Sequence, residues 1–146
     1  MNFHYKFEKI LDLREREKDV QMMAYEKAVQ AFEEVATELY NLLKKKEELE
    51  REQARQIQRG LSVQEIRMQQ NFMNSLQRDI DNLQQKVMIA RQKMQFEQQK
   101  LVQKNIEVKK YEKIKTKEYE KFLELLNHED RKLMDALAMQ VSARGR

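Results

Sequence analysis

No proline and no cysteine occur in the 146 residues, and glycine occurs only at Gly60 and Gly145. Without cysteine there are no disulfides and no thiolate metal sites. Without proline, nothing in the chain forbids a helix. No run approaches the ~18 apolar residues of a membrane span. The first residues, MNFHYKFEKILDLRERE, lack the apolar core and small-residue cleavage site of a signal peptide. The expectation is a soluble cytoplasmic protein. Mean hydropathy is −0.93, too polar for a compact globule. Apolar residues make up 40% and charged residues 37%. The charge is nearly balanced, 29 basic residues against 25 acidic, unlike a disordered tail of one sign. Glu, Lys, Gln, Arg, Leu, Met and Ala dominate, and all favour helix. This is the composition of long helices or coiled coils.

The one break falls in QIQRGLSVQE, residues 56–65. Gly60 suits the left-handed conformation that closes a helix. Ser62 and Glu65 have the spacing of a capping box that opens the next one, with Leu61 and Ile66 placed for a hydrophobic staple. A connection this short predicts antiparallel neighbouring helices, with a kinked continuous helix as the alternative. Helix one is expected over about 5–58, a turn over 59–62, helix two over about 63–140 and a frayed tail over 141–146, in a single coiled-coil domain.

The apolar spacing agrees. Ile66, Met73, Ile80, Val87, Met94, Leu101 and Val108 recur every seven residues, with partners at Gln69, Leu76, Leu83, Ala90, Glu97, Lys104 and Tyr111. In the first half Tyr25, Ala28, Phe32, Val35, Leu39, Leu42, Lys46 and Leu49 step by three and four. Folding about the turn places Leu49 against Met73, Leu42 against Ile80, Leu39 against Leu83 and Phe32 against Ala90. Farther out the seam meets Arg14, Lys18 and Gln21, with Lys18 facing Lys104. A local shift of register onto Leu13 and Val20 is expected there. Beyond Tyr111 the apolar set Tyr119, Leu123, Leu126, Leu133 and Leu137 fits a frame displaced by one residue, a stutter that unwinds the supercoil locally. At 1.5 Å per residue the helices span roughly 80 and 115 Å, so around 20 residues of helix two lack a partner. The late segment YEKFLELLNHEDRKLMDALAMQ carries Phe122, Leu123, Leu125, Leu126, Leu133, Met134, Leu137 and Met139, and such a bare apolar stripe marks a contact surface.

Catalytic chemistry is missing. There is no phosphate-binding glycine loop and no paired-histidine metal motif. His4 and His128 read as surface residues, and Glu47–Glu48 as solvated helix charge. No histidine is positioned to activate Ser62, Ser75 or Ser142. The expectation is no enzyme, no cofactor and no metal. The lysines of KKYEKIKTKEYEK (Lys109, Lys110, Lys113, Lys115, Lys117 and Lys121) read either as a solvated face paired with glutamate or as a basic collar for an acidic protein surface. Acids interrupt the segment, so nucleic acid is not expected. Phe72 reads either as peripheral packing or as a contact anchor on the flank.

The opening FHYKFEKILDLREREKD, the mid-chain break, QQNFMNSLQRDI after it and the late EYEKFLELLNHEDRKLMDALAM together resemble the FliJ family, small coiled-coil components of the bacterial flagellar type III export apparatus. The resemblance implies an all-α, antiparallel two-helix coiled-coil hairpin like the rotor stalk of rotary ATPases, with a longer second helix. It implies a non-catalytic part in flagellum biogenesis and motility: binding the hexameric export ATPase, contacting the membrane export gate protein and handling export chaperones. Its place would be cytoplasmic, peripheral to the cell membrane at the flagellar base, without membrane insertion. Carried onto this chain, the ATPase-facing end comprises Phe7, Ile10, Leu11, Leu13 and Arg14 with Phe122, Leu126, Arg131, Leu133 and Leu137. The gate-facing surface comprises Leu42, Phe72 and Leu76. A self-assembling structural coiled coil or generic scaffold is the alternative.

Overall fold

The computed structural model describes residues 2–145 and consists of two long helices folded into a hairpin, α1 (Glu8–Arg59) and α2 (Val63–Arg144). Each helix has an acidic residue in its first turn, Glu8 or Glu65, and an arginine in its last, Arg59 or Arg144. Both placements favour the helix dipole. Gly60 ends α1 at φ 90°, and its amide donates to the Ile57 carbonyl at 3.2 Å. The Ser62 hydroxyl accepts the Glu65 amide at 3.2 Å, so the hydroxyl half of the expected capping box is formed. The turn is three residues long.

A side chain at position 60 would meet nothing within 4 Å, so Gly60 is there for its backbone and not for space. Gly60→Ala is expected to destabilise the hairpin by about 1 kcal/mol, the cost of a left-handed L-residue. Gly60→Asn should cost less, because asparagine tolerates that region. Urea unfolding of the two variants checks the order.

Contacts divide the described chain into two compact units, one made by the chain up to Asp19 and from Val102 onward, the other Val20–Leu101. In Val20–Leu101 the seam follows the heptad frame. Ile80, Leu76 and Ala28 are buried, and Tyr25, Phe32, Val35, Leu39, Leu42, Leu49, Met73, Leu83, Val87, Ala90 and Met94 are half-buried. Lys46 Nζ donates to Gln77 Oε1 at 2.7 Å, and the Arg91 guanidinium lies 5.6 Å from the Phe32 ring centre. Both pairings fit the register counted from the turn. Closer to the turn the seam becomes polar, with the Gln69 side-chain amide donating to that of Gln56.

The other unit departs from expectation at its start. Helix one does not begin at residue 5. Residues 2–5 are irregular, Lys6 and Phe7 form a turn, and α1 starts at Glu8. Phe3, Tyr5 and Phe7 alternate with exposed His4 and Lys6, the period of an extended strand. They lie on α2: Phe7 meets Tyr111 with ring centres 6.2 Å apart, and Phe3 meets Phe122 at 5.5 Å. An extended residue advances about 3.3 Å, against 1.5 Å in a helix. Leaving the helix therefore lets a few residues cover α2 from Tyr111 to Phe122. Tyr5, Leu11 and Val108 form the buried cluster beneath, with Phe3, Phe7, Tyr111 and Ile114 packed against it. The Tyr5 hydroxyl donates to the Tyr111 carbonyl at 2.8 Å. Burial, with Glu118 and Glu8 nearby, holds this phenol above its ordinary range, so it stays protonated and donates.

Three further expectations are corrected. The seam does not shift onto Leu13 and Val20, which are 50% and 68% exposed. Arg14, Lys18 and Gln21 keep the inward positions. The reason is spacing: Leu11, Arg14, Lys18, Gln21, Tyr25 and Ala28 step by three and four in one frame, and a shift would rotate Leu11 out of its cluster. The displaced frame beyond Tyr111 governs burial only at Leu126, which is half-buried while Leu125 of the earlier frame is 57% exposed. Lys115, Glu118 and Phe122 continue the earlier frame, while Tyr119 and Leu123 are exposed. Finally, the tail expected to fray over 141–146 is helical through Arg144; Gly145 is a turn, and Arg146 lies outside the described residues.

Candidate interaction surface

Past Leu126 every described residue of α2 is exposed, because α1 and the segment before it reach no farther than Phe122 and its neighbours. Leu133, Met134, Leu137, Met139 and Val141 stand in water there, Leu133 at 60% exposure. With half-buried Leu126, Leu133 and Leu137 fall on one face at intervals of seven and four.

The structure divides the ten residues assigned to the ATPase-facing end. Leu11 is core, and Phe7 is packed edge-on against Tyr5 and Tyr111. Arg14 is turned to Glu17, Nη1 to Oε2 at 3.1 Å. Phe122 is covered in part by Phe3. Ile10, Leu13, Arg131, Leu133 and Leu137 are exposed, and Leu126 is half-buried at the edge of the covered stretch. Sequence reasoning missed Phe3 and Tyr5 and read Tyr119 only as a member of the displaced frame; these rings bind the N-terminal segment to α2. Phe3 stands edge-on to Tyr119 at 5.2 Å. The signal was the period-two alternation of FHYKF, which reads as extended chain and not as helix.

The three gate-facing residues also separate. Leu76 is buried and Leu42 half-buried, both in the seam, whereas Phe72 is 49% exposed with Lys45 Nζ 5.5 Å from its ring centre. Phe72 borders an open groove of about 340 Å³ lined also by Leu49, Met68 and Met73. Of the three, Phe72 presents the most exposed side chain.

Lys109, Lys110, Lys113, Lys117 and Lys121 are exposed, with Glu112 and Glu120 among them. Lys115 is taken up inside the unit, 3.0 Å from Glu8 and over the Tyr5 ring. This pattern is that of a solvated face with internal pairing. His4 and His128 are both exposed. Among the described residues no acidic or histidine cluster could hold a metal ion, and no helix is long and apolar enough to cross a membrane.

The seam carries charge in each unit. Within Val20–Leu101, Glu97 is only 6% exposed. Gln21 donates its amide to the Glu97 carboxylate and to its backbone carbonyl, the latter at 3.0 Å. Lys93 Nζ lies 3.2 Å from the same carboxylate. The Gln21 bond, opposed by burial and aided by Lys93, holds Glu97 below the ordinary carboxylate range. In the other unit Glu17 takes Arg14 at 3.1 Å and Lys104 at 3.5 Å. The Arg14 hydrogen bond is the main reason that Glu17 too titrates low. Lys104 thus meets a carboxylate.

A family model described as flagellar FliJ protein matches residues 3–146. The flagellar FliJ protein of Bacillus subtilis (strain 168) is 40% identical over 122 residues, covering 84% of this chain and 83% of that protein. No solved structure matches significantly. A hairpin of two long helices, a full-length family match and a relative of this identity lead to one conclusion: the chain belongs to the FliJ family, non-catalytic components of flagellar protein export.

Proposed function

We propose that this hairpin couples the flagellar export ATPase to the export gate, touching the ATPase ring with the bare face of α2 and the gate with the flank around Phe72. The observation that carries the reading is the stripe formed by exposed Leu133 and Leu137 with half-buried Leu126 at its near edge. A helix that keeps apolar side chains in water over several turns holds surface in reserve for a partner. Ile10 and Leu13 on α1 add to the ATPase-facing end, while Phe7, Leu11 and Arg14 act by packing. At the gate-facing flank Phe72 is the anchor, and Leu42 and Leu76 hold the seam that presents it. Export chaperones are further partners. The protein works in the cytoplasm, peripherally at the membrane at the flagellar base. To couple, it must bind different states of the ring with unequal affinity, since a partner indifferent to state shifts nothing.

Leu126→Ala/Leu133→Ala/Leu137→Ala is expected to weaken binding to the purified ATPase ring at least tenfold while helicity by circular dichroism persists. Wild-type affinity in that variant would remove the stripe from the ATPase interface. Sedimentation of the wild-type chain alone at micromolar concentration should give a monomer. A stable higher oligomer would favour the competing use of the stripe, self-assembly.

A further inference from the structure

Phe3 sits on the beginning of the same stripe that the proposed ATPase contact uses. Its ring lies 5.2 Å from Tyr119 and 5.5 Å from Phe122, centre to centre. Tyr119, Phe122, Leu126, Leu133 and Leu137 share one side of α2 at steps of three, four and seven. The first two members are thus partly occupied from within the chain, Leu126 is half-buried, and Leu133 and Leu137 are bare. The occupant is thin. Asn2 and His4, on either side of Phe3, are exposed, and Tyr119 itself stays exposed beneath the ring. The firm attachment comes two residues later: Tyr5 is buried and its hydroxyl is bonded to the Tyr111 carbonyl. Among the described residues, no hydrogen bond ties Asn2, Phe3 or His4 to α2. Segments held by few buried contacts and no backbone bonds open at low cost.

We propose that residues 2–4 are a lid, hinged at Tyr5, that covers the near end of the docking stripe and swings away when the ATPase binds. The inference rests on the stripe being the ATPase contact. In the closed form the partner has the face from Leu126 onward. In the open form it gains Tyr119 and Phe122, so the accessible face lengthens by about two helical turns. Closure then acts as a tax on affinity: apparent binding is the intrinsic value reduced by the fraction of molecules already open. Tyr5 is not part of the moving segment. Its loss would unseat the cluster with Leu11 and Val108, and that is a folding defect, not a gating one.

The chain's lack of cysteine makes the test direct. A Phe3→Cys/Phe122→Cys variant is compared with itself before and after closure by a short thiol-specific crosslinker, so that any effect of the substitutions cancels. Closure is expected to weaken binding to the purified ATPase ring about tenfold. Phe3→Ala, with an unchanged circular dichroism spectrum, is expected to tighten it about threefold. Equal affinity before and after crosslinking overturns the lid, as does weaker binding by Phe3→Ala, which would make Phe3 a contact and not a cover. The triple-alanine stripe variant is run in parallel. If it binds like wild type, the docking assignment has failed; if it loses binding while the crosslink changes nothing, only the lid has.

Discussion

Ile80→Ala is expected to remove about 2–4 kcal/mol from the unfolding free energy of the hairpin. Ile80 is the most deeply buried large side chain, 1% exposed, at a seam position whose register partner on α1 is Leu42. Truncation deletes methyl and methylene groups and leaves a void between two helices that are stiff over many turns on either side. A hairpin has no third layer to collapse into that void, and water on its flanks does not fill an apolar gap between facing side chains. The loss compares with the 5–15 kcal/mol that typically holds a domain together, so the urea midpoint should fall visibly. Ile89→Ala is the control. Its side chain is 65% exposed, nine positions farther along the same helix, and the change should stay within about 0.5 kcal/mol. If the two variants unfolded alike, the heptad frame of Val20–Leu101 would be wrong.

That frame was legible because it rests on local rules. Every position from Gln69 to Tyr111 read as seam is buried or half-buried, and Ile66, beside the turn, is exposed. Gly60 and Ser62 mark the turn through backbone conformation and hydroxyl chemistry, which need no knowledge of the rest of the chain. Reading failed where tertiary pairing overrode local hydrophobicity. Leu13 and Val20 are better apolar candidates than Arg14, Lys18 and Gln21, yet the stiffness of α1 fixes the frame at both ends and leaves them outside. Polar residues are accepted inward where they find partners, Gln21 with Glu97, and Arg14 Nη1 and Lys104 with Glu17, although Arg14 Nε is buried without one. The same lesson applies beyond Tyr111. The one-residue slip is present in the pattern of leucines, but it begins where only an extended segment lies opposite, and a single strap cannot enforce a helical seam. Of the interaction surface, the bare length of α2 was legible from arm lengths alone. The aromatic strap was not, because a strong helical composition hid five residues of period-two alternation.

The polar layer at Gln21 and Glu97 should make stability depend on acid in a way a single pair of substitutions removes. Both Glu97 and Glu17 titrate below the ordinary carboxylate value of 4.5, for hydrogen-bonding reasons that exist only in the folded chain. A folded-state value below the unfolded one means that the folded chain binds protons less readily. The stabilisation from these groups is therefore complete above pH 4.5 and is lost as the pH falls through the lowered values. Wild-type melting temperatures should be level from pH 7 to about 5 and decline below that. Gln21→Leu/Glu97→Leu replaces a desolvated hydrogen-bonded pair with apolar side chains in the same seam. Exchanges of this kind tend to stabilise, because the charge no longer has to be taken out of water. The double variant should melt about 5 °C higher at neutral pH and show a shallower acid limb, with only the Glu17 contribution left. Glu97→Leu alone should melt lower than the double variant, since it leaves the Gln21 amide inward with only the backbone carbonyl at position 97 to bond. What natural polarity supplies here is a fixed alignment: a glutamine that must meet a glutamate resists a slip of one helix along the other, where leucine against leucine would tolerate it. The double variant should therefore be more stable and less specific, with spin labels at positions 28 and 94 reporting a broader distance distribution than in the wild type. A double variant that melted lower than wild type would show that the layer holds the helices together and does not merely align them, and one that kept the full acid limb would show that the acid dependence comes from groups other than Glu97.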